Sequence, residues 1–185
     1  MRIGLDFDGT IASWAGAMDR WLREAMGRPL DPDRHIVEQV TREQLQAMVG
    51  AILGTALTLE MTPEEGALDA MTRLARDHEL LVITARHDHE AAFAAQWLER
   101  HGAPVGAVVS TGRALKADTC RELAIGVLLD DTADHLLALD ATATVPVLFR
   151  TRFGNRAAQP PFIHVVEHWQ AFEALCSRLV ADDTR

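Results

Sequence analysis

From Glu79 onward the chain repeats one pattern: a short unbroken apolar run, a polar residue at its end, then a stretch with helical spacing. ELLVIT at 79–84, VGAVVS at 105–110, IGVLLD at 125–130 and VPVLFR at 145–150 read as buried strands, and RIGLDF at 2–7 reads as the first of the set. Between them lie helical stretches at 88–101, 116–123 and 132–139. FIHVV forms a further extended piece, and a closing helix spans 167–180. In 88–101 the residues Phe93, Trp97 and Leu98 share one face, and Gly102 supplies the stop. Strands that are apolar along their whole length have no face to give to water, so both faces must be covered by helices. The pattern therefore predicts an α/β fold with a Rossmann-like, mainly parallel sheet.

Residues 12–62 break this rhythm. Trp14, Met18, Trp21, Leu22, Ala25 and Met26 fall on one helical face, RPLDPD at 28–33 ends it, and a second helix runs from Arg42 to Leu53. Gly54 and Thr62-Pro63 punctuate the chain beyond that helix, with Pro63 suited to a first helical turn. The predicted organisation is a core of 1–11 and 63–185 with a small helical cap of 12–62. A length of 185 residues accommodates one domain with one insert.

Composition narrows the function class. Hydrophobic residues make up 48% and charged residues 24%, which excludes disorder and collagen-like repeats. No run reaches the roughly 18 apolar residues of a membrane span, and the acidic start MRIGLDFDGT does not resemble an export signal. Cys120 and Cys176 are too few for a disulfide framework, so a reducing, cytoplasmic setting is expected. The net charge of -9 disfavours extended nucleic-acid binding, although a small phosphorylated ligand remains compatible with it. Among the 18 basic residues, Lys116 alone is lysine. A compact ammonium where arginine serves everywhere else marks a position that needs a point charge.

In open α/β sheets, ligands bind beyond the carboxyl ends of the strands. Those ends carry Asp6-Phe7-Asp8-Gly9-Thr10, Thr84-Ala85-Arg86 and Asp130-Asp131, with Lys116 opening the helix after the third strand. Any one of these aspartates could simply cap a helix. Several carboxylates gathered at one sheet edge repel one another unless a cation sits among them. All-oxygen ligands favour a hard metal, and magnesium is the usual partner of phosphate.

DFDGT after the first strand, Thr84 closing LLVIT, Lys116, and Asp130-Asp131 closing VLLDD resemble the four motifs of the haloacid dehalogenase superfamily, in order. The resemblance implies that Asp6 is a nucleophile forming an aspartyl-phosphate and that Asp8 is the general acid and then the base. It implies that Thr84 binds phosphoryl oxygens and that Lys116 neutralises charge shared by Asp6 and the phosphate. Magnesium is expected on Asp6, the Asp8 backbone carbonyl and Asp130, with Asp131 supporting it through water. An acid two residues past the nucleophile, absent from true dehalogenases of this superfamily, points to phosphate.

DFDGTIASWAGAMDRWL, VITARHDHEAAFAAQWLERHGAP and the tail LFRTRFGN…VEHWQAFEAL resemble the deoxyribonucleotidase-like branch. There an aromatic eight positions beyond the nucleophile stacks on the base, and here that position is Trp14, which could equally head the apolar face of its helix. The extra Gly154 before Asn155 departs from the branch's pattern. Substrate contacts are expected from Thr84, Ala85, Lys116, Trp14 and Arg86, the last either meeting a substrate anion or lying solvated at the surface. His87 and His89 read as a solvated pair at a helix start, not as metal ligands. The expectation is a magnesium-dependent phosphatase of a nucleoside monophosphate, acting as a monomer or homodimer. A sugar-phosphate phosphatase and a weakly active metal- and phosphate-binding regulator are the alternatives.

Overall fold

The computed structural model describes residues 1–34, 36–151 and 157–183. In chain order the strands are β1 (Arg2–Leu5), β2 (Ala12–Ser13), β3 (Thr62–Pro63), β4 (Glu79–Thr84), β5 (Ala107–Ser110), β6 (Val127–Asp130), β7 (Val145–Phe149) and β8 (His164–Val166). The helices are α1 (Ala15–Met26), α2 (Arg42–Leu53), α3 (Ala67–Leu74), α4 (Asp88–Arg100), α5 (Ala117–Glu122), α6 (Ala133–Leu137) and α7 (Trp169–Asp183).

Six strands form one sheet in the order β5-β4-β1-β6-β7-β8, and every pairing is parallel. The chain steps outward from β1 to β4 and β5, then returns to build β6, β7 and β8 on the other side of β1. The order therefore switches between β1 and β6, which opens a crevice at their carboxyl ends.

Alternation along the strands divides the core in two. Ile3, Leu5, Val82, Leu129 and Phe149 join Met71, Trp97 and Phe172 of α3, α4 and α7 on one face. Leu81, Ile83, Leu128 and Leu148 join Cys120 and Leu136 of α5 and α6 on the other. Each such fully buried aliphatic or aromatic side chain contributes roughly 1.5–3 kcal/mol. Gly4 lies on the second face, where a β-carbon would come within 3.0 Å of Ile83 and Leu128. The strand tolerates the glycine because its neighbours already fill that space.

Between β2 and β3 the chain is helical: α1, α2 and short 3-10 turns at Ile36–Glu38 and Ala56–Glu60. Thr41 opens α2 with a capping box, its Oγ1 accepting from the Gln44 N–H at 3.2 Å while Gln44 Oε1 accepts from the Thr41 N–H at 2.9 Å. The two strands pair antiparallel, Ala12 with Pro63 and Ser13 with Thr62, and so bring the ends of the insert together. Trp97 Nε1 donates to the Met61 carbonyl at 2.8 Å, tying the end of the insert to α4.

One expectation is corrected here. Pro63 lies in β3, not in a first helical turn, because its fixed φ and missing N–H also suit a short edge strand. The next helix, α3, begins only after Gly66, whose φ of 79° reverses the chain. Among the described residues, no helix is long and apolar enough to cross a membrane. Both cysteines are free and buried.

Candidate active site

Asp6 follows β1 directly, and its N–H continues the ladder by donating to Leu129 O at 2.8 Å. Asp130 is the last residue of β6, so the two carboxylates stand at the mouth of the β1–β6 crevice. Lys116, fully buried, precedes α5 and reaches between them. Its Nζ donates to Asp6 Oδ1 and, at 2.6 Å, to Asp130 Oδ2. Asp130 Oδ1 accepts from the Thr132 N–H at 2.8 Å, which fixes the plane of that carboxylate. The lysine thus sits where a compact charge fits between two oxygens and a planar guanidinium would not.

Asp6, Asp130 and Asp131 each present an oxygen within 4.8 Å of the others. Three carboxylates against one ammonium leave the buried cluster with surplus negative charge. Burial pushes Asp6 well above the usual carboxylate range, with Lys116 opposing and the neighbouring aspartates adding to the rise. Asp131 is pushed up to about 7, chiefly by withdrawal from water and then by the charge of Asp130. For Lys116 burial works against the charge, but Asp6 and Asp130 outweigh it and hold the ammonium above its ordinary value. An all-oxygen cluster short of positive charge is what a hard divalent cation would complete, so these residues fit magnesium.

Gly9 lets the Asp131 carboxylate come this close. Its φ is 75°, and Asp131 Oδ2 occupies the space a β-carbon would take. The tight turn after it is closed by the N–H groups of Ile11 and Ala12, both donating to Phe7 O.

Asp8 is oriented differently from Asp6. Its two oxygens accept from Arg86, Oδ2 from Nε and Oδ1 from NH2, each at 2.8 Å. Asp8 therefore lies in a guanidinium fork, while the carboxylate cluster is built from the side chains of Asp6, Asp130 and Asp131. Arg86 itself is 1% exposed and lies over the Phe7 ring, 5.0 Å from its centre. Thr84 ends β4, fully buried, and its Oγ1 accepts from the Arg86 N–H at 3.3 Å.

The carboxylates open into a cavity of about 210 Å³ whose walls include Asp6, Asp8, Ala85, Arg86, Asp130 and Asp131. Arg113 and His135 also line it. Neither belongs to a strand end, so the expectation built on strand ends does not reach them. Arg113 has a φ of 73° and pairs with Glu90 at 2.6 Å, and burial lowers the His135 pKa. A second cavity, about 390 Å³, is lined by Met18, Ile36, Leu45, Met48 and Val49 from the insert, with Ser13 and Glu64 at the ribbon. Trp14, Asp131 and Thr132 line both cavities, so Trp14 stands at their junction. It also packs against the core, as the alternative reading of it expects. Gly154 and Asn155 lie outside the described residues. His87 and His89 stack on each other away from the carboxylates, with ring centres 6.0 Å apart.

A HAD-superfamily hydrolase from Geobacter sulfurreducens superposes with a TM-score of 0.65 at 20% identity, over 94% of this chain and 95% of that one. The protein has the haloacid dehalogenase fold. An L-2-haloacid dehalogenase shares that fold with a TM-score of 0.60 at 18% identity, over 95% and 98% of the two chains. In sequence, the haloacid dehalogenase-like chain is 24% identical over 183 residues to the Putative nucleotidase of Halalkalibacterium halodurans, covering 94% of this chain and 91% of that protein. No family model matches it.

Proposed function

We propose that the protein is a magnesium-dependent phosphomonoester hydrolase that works through an aspartyl-phosphate on Asp6, with a nucleoside monophosphate as substrate. The observation that carries this reading is Lys116, buried and bonded to both Asp6 and Asp130. An ammonium in that position lowers the barrier to bringing an anionic nucleophile against an anionic phosphate.

On this reading Asp6 attacks phosphorus through a side-chain oxygen, and the bond from phosphorus to the leaving oxygen breaks. Asp8 gives that oxygen a proton. Asp8 then takes a proton from water as the water attacks phosphorus, which releases inorganic phosphate and restores Asp6. Thr84 and Lys116 hold the phosphoryl oxygens. Asp6, Asp130 and Asp131, with the Asp8 carbonyl, would hold magnesium, whose charge would stabilise the phosphoryl oxygens. A halide leaves without a proton and an alkoxide does not, so Asp8 favours phosphate over halide.

The leaving group is assigned to the larger cavity beyond Trp14. Its walls are mostly apolar, and its described lining residues include no arginine, lysine or histidine. An anionic leaving group, such as the second phosphate of a sugar bisphosphate, would meet Glu64, Asp131 and Asp134 without a counter-charge. A neutral nucleoside can stack on Trp14 and bury its base there. The name of the Halalkalibacterium halodurans relative agrees with this choice. The free, buried thiols suit a reducing cytoplasm.

The test is hydrolysis of p-nitrophenyl phosphate and of a panel of nucleoside monophosphates and sugar phosphates, with magnesium and with chelator. Release of phosphate that needs magnesium, is lost in Asp6→Asn and is fastest on nucleotides is the expected result. Absence of turnover on every substrate would reduce the protein to a binder of metal and phosphate.

A further inference from the structure

The sequence places Arg86 near the pocket mouth, either meeting a substrate anion or solvated at the surface. In the structure every one of its five N–H donors has a partner. Nε and NH2 grip Asp8, and NH2 also approaches Met61 Sδ at 4.0 Å. NH1 donates to Leu53 O at 3.1 Å, Thr58 Oγ1 at 2.9 Å and Glu90 O at 3.2 Å. Leu53 ends α2 and Thr58 lies in the 3-10 turn after it, so two of these acceptors belong to the helical insert. Thr58 is in turn fixed by donating to Ile52 O at 2.8 Å. One buried guanidinium therefore joins the insert, α4 and the carboxylate of Asp8.

We propose that Arg86 is a positioning residue that makes the orientation of the Asp8 carboxyl group depend on how the insert is seated. The inference rests on the phosphatase reading. A bidentate guanidinium fixes the carboxylate plane, and the carboxylate so held lines the cavity beside Asp6 and Asp130. A carboxyl group held in one orientation meets a leaving oxygen or a water in one geometry, whereas a freely rotating one would spread over many. With the insert displaced, NH1 loses two of its three acceptors, and the fork holding Asp8 loosens.

The experiment compares kcat and KM for p-nitrophenyl phosphate and for an alkyl phosphate in wild type, Arg86→Ala, Arg86→Lys and Thr58→Val, each with its melting temperature. Proton donation matters for the alkoxide and little for nitrophenolate, and general acid catalysis contributes roughly 10²–10⁴-fold. The expected result for Arg86→Ala is a fall in kcat of about 100-fold or more on the alkyl ester and about tenfold or less on the nitrophenyl ester, with KM little changed. Arg86→Lys keeps the charge but cannot form two parallel bonds, so it should fold and still show the unequal loss. Thr58→Val never touches Asp8, and it should move the ratio of the two rates in the same direction by a smaller factor.

Equal losses on both esters, or a rise in KM without a fall in kcat, would overturn the proposal and return Arg86 to substrate binding. A normal rate ratio in Thr58→Val would remove the link to the insert. If Arg86→Ala does not fold, Arg86→Lys and Thr58→Val decide alone. Wild-type protein inert toward both esters would instead sink the phosphatase reading, and this inference with it.

Discussion

Gly9 and Asp131 are packed so closely that a β-carbon on the glycine would overlap Asp131 Oδ2 and lie 2.9 Å from its Cγ. Gly9→Ala must therefore push the carboxylate away, besides straining a φ of 75° at a cost of about 1–2 kcal/mol. The expected outcome is a folded protein whose activity requires several-fold more magnesium than wild type. A magnesium titration of phosphatase activity in both proteins checks it.

Asp6→Asn should abolish turnover without harming the fold. An amide cannot attack phosphorus, yet it relieves the surplus charge of a cluster that holds three acids against one lysine. Melting in chelator should then occur at or above the wild-type temperature, while activity on every substrate is lost.

Lys116→Arg should lose at least about tenfold in kcat/KM, or about 1.4 kcal/mol of transition-state stabilisation, because the space between Asp6 Oδ1 and Asp130 Oδ2 fits a point charge. Lys116→Ala should lose more, and it should also be destabilised in chelator. Two buried carboxylates would then lack their common cation, a type of loss that typically costs about 3–5 kcal/mol. Kinetics and thermal melts of both variants check this.

The raised acids give metal-free protein a defined pH dependence. Asp131 at about 7, with Asp6 also raised, binds protons in the folded state that the unfolded chain has already released. Their contribution to stability in chelator should therefore be greatest at low pH and fall as pH rises from about 4 through about 7. Magnesium should remove that fall by taking the charge instead. Melting temperatures at about pH 5 and about pH 8, with chelator and with magnesium, test the sign.

Trp14→Ala should raise KM for nucleotides and leave p-nitrophenyl phosphate nearly unchanged. The ring lines both cavities, so on the proposed reading a nucleotide would extend past it and the nitrophenyl ester would not. A loss of about tenfold in kcat/KM on nucleotides corresponds to one lost aromatic stack.

Much of this architecture could be read from the chain itself. Glu79–Thr84 and Arg42–Leu53 have the bounds that their apolar spacing predicts. The other sheet strands fall within one or two residues of expectation, because unbroken apolar runs mark buried strands well. Asp6, Lys116, Asp130 and Asp131 were legible as one group for a related reason: parallel strands put their carboxyl ends on one edge. The β2–β3 ribbon was not legible, since two residues per strand are too few to show a period. The setting of Arg86 escaped as well. Its partners at Leu53, Thr58 and Asp8 lie tens of residues away, and only the packing of the insert brings them together.

A chain whose lone lysine is walled in between two carboxylates is also a chain with a single bond open to a lysine-specific endoprotease. That bond, between Lys116 and Ala117, lies beside a side chain with no exposed surface. Native protein should resist such an enzyme, and unfolded protein should give two fragments, 1–116 and 117–185. One cut thus reports how often the site between β5 and α5 comes apart, and any ligand that tightens it should lengthen the life of the intact chain.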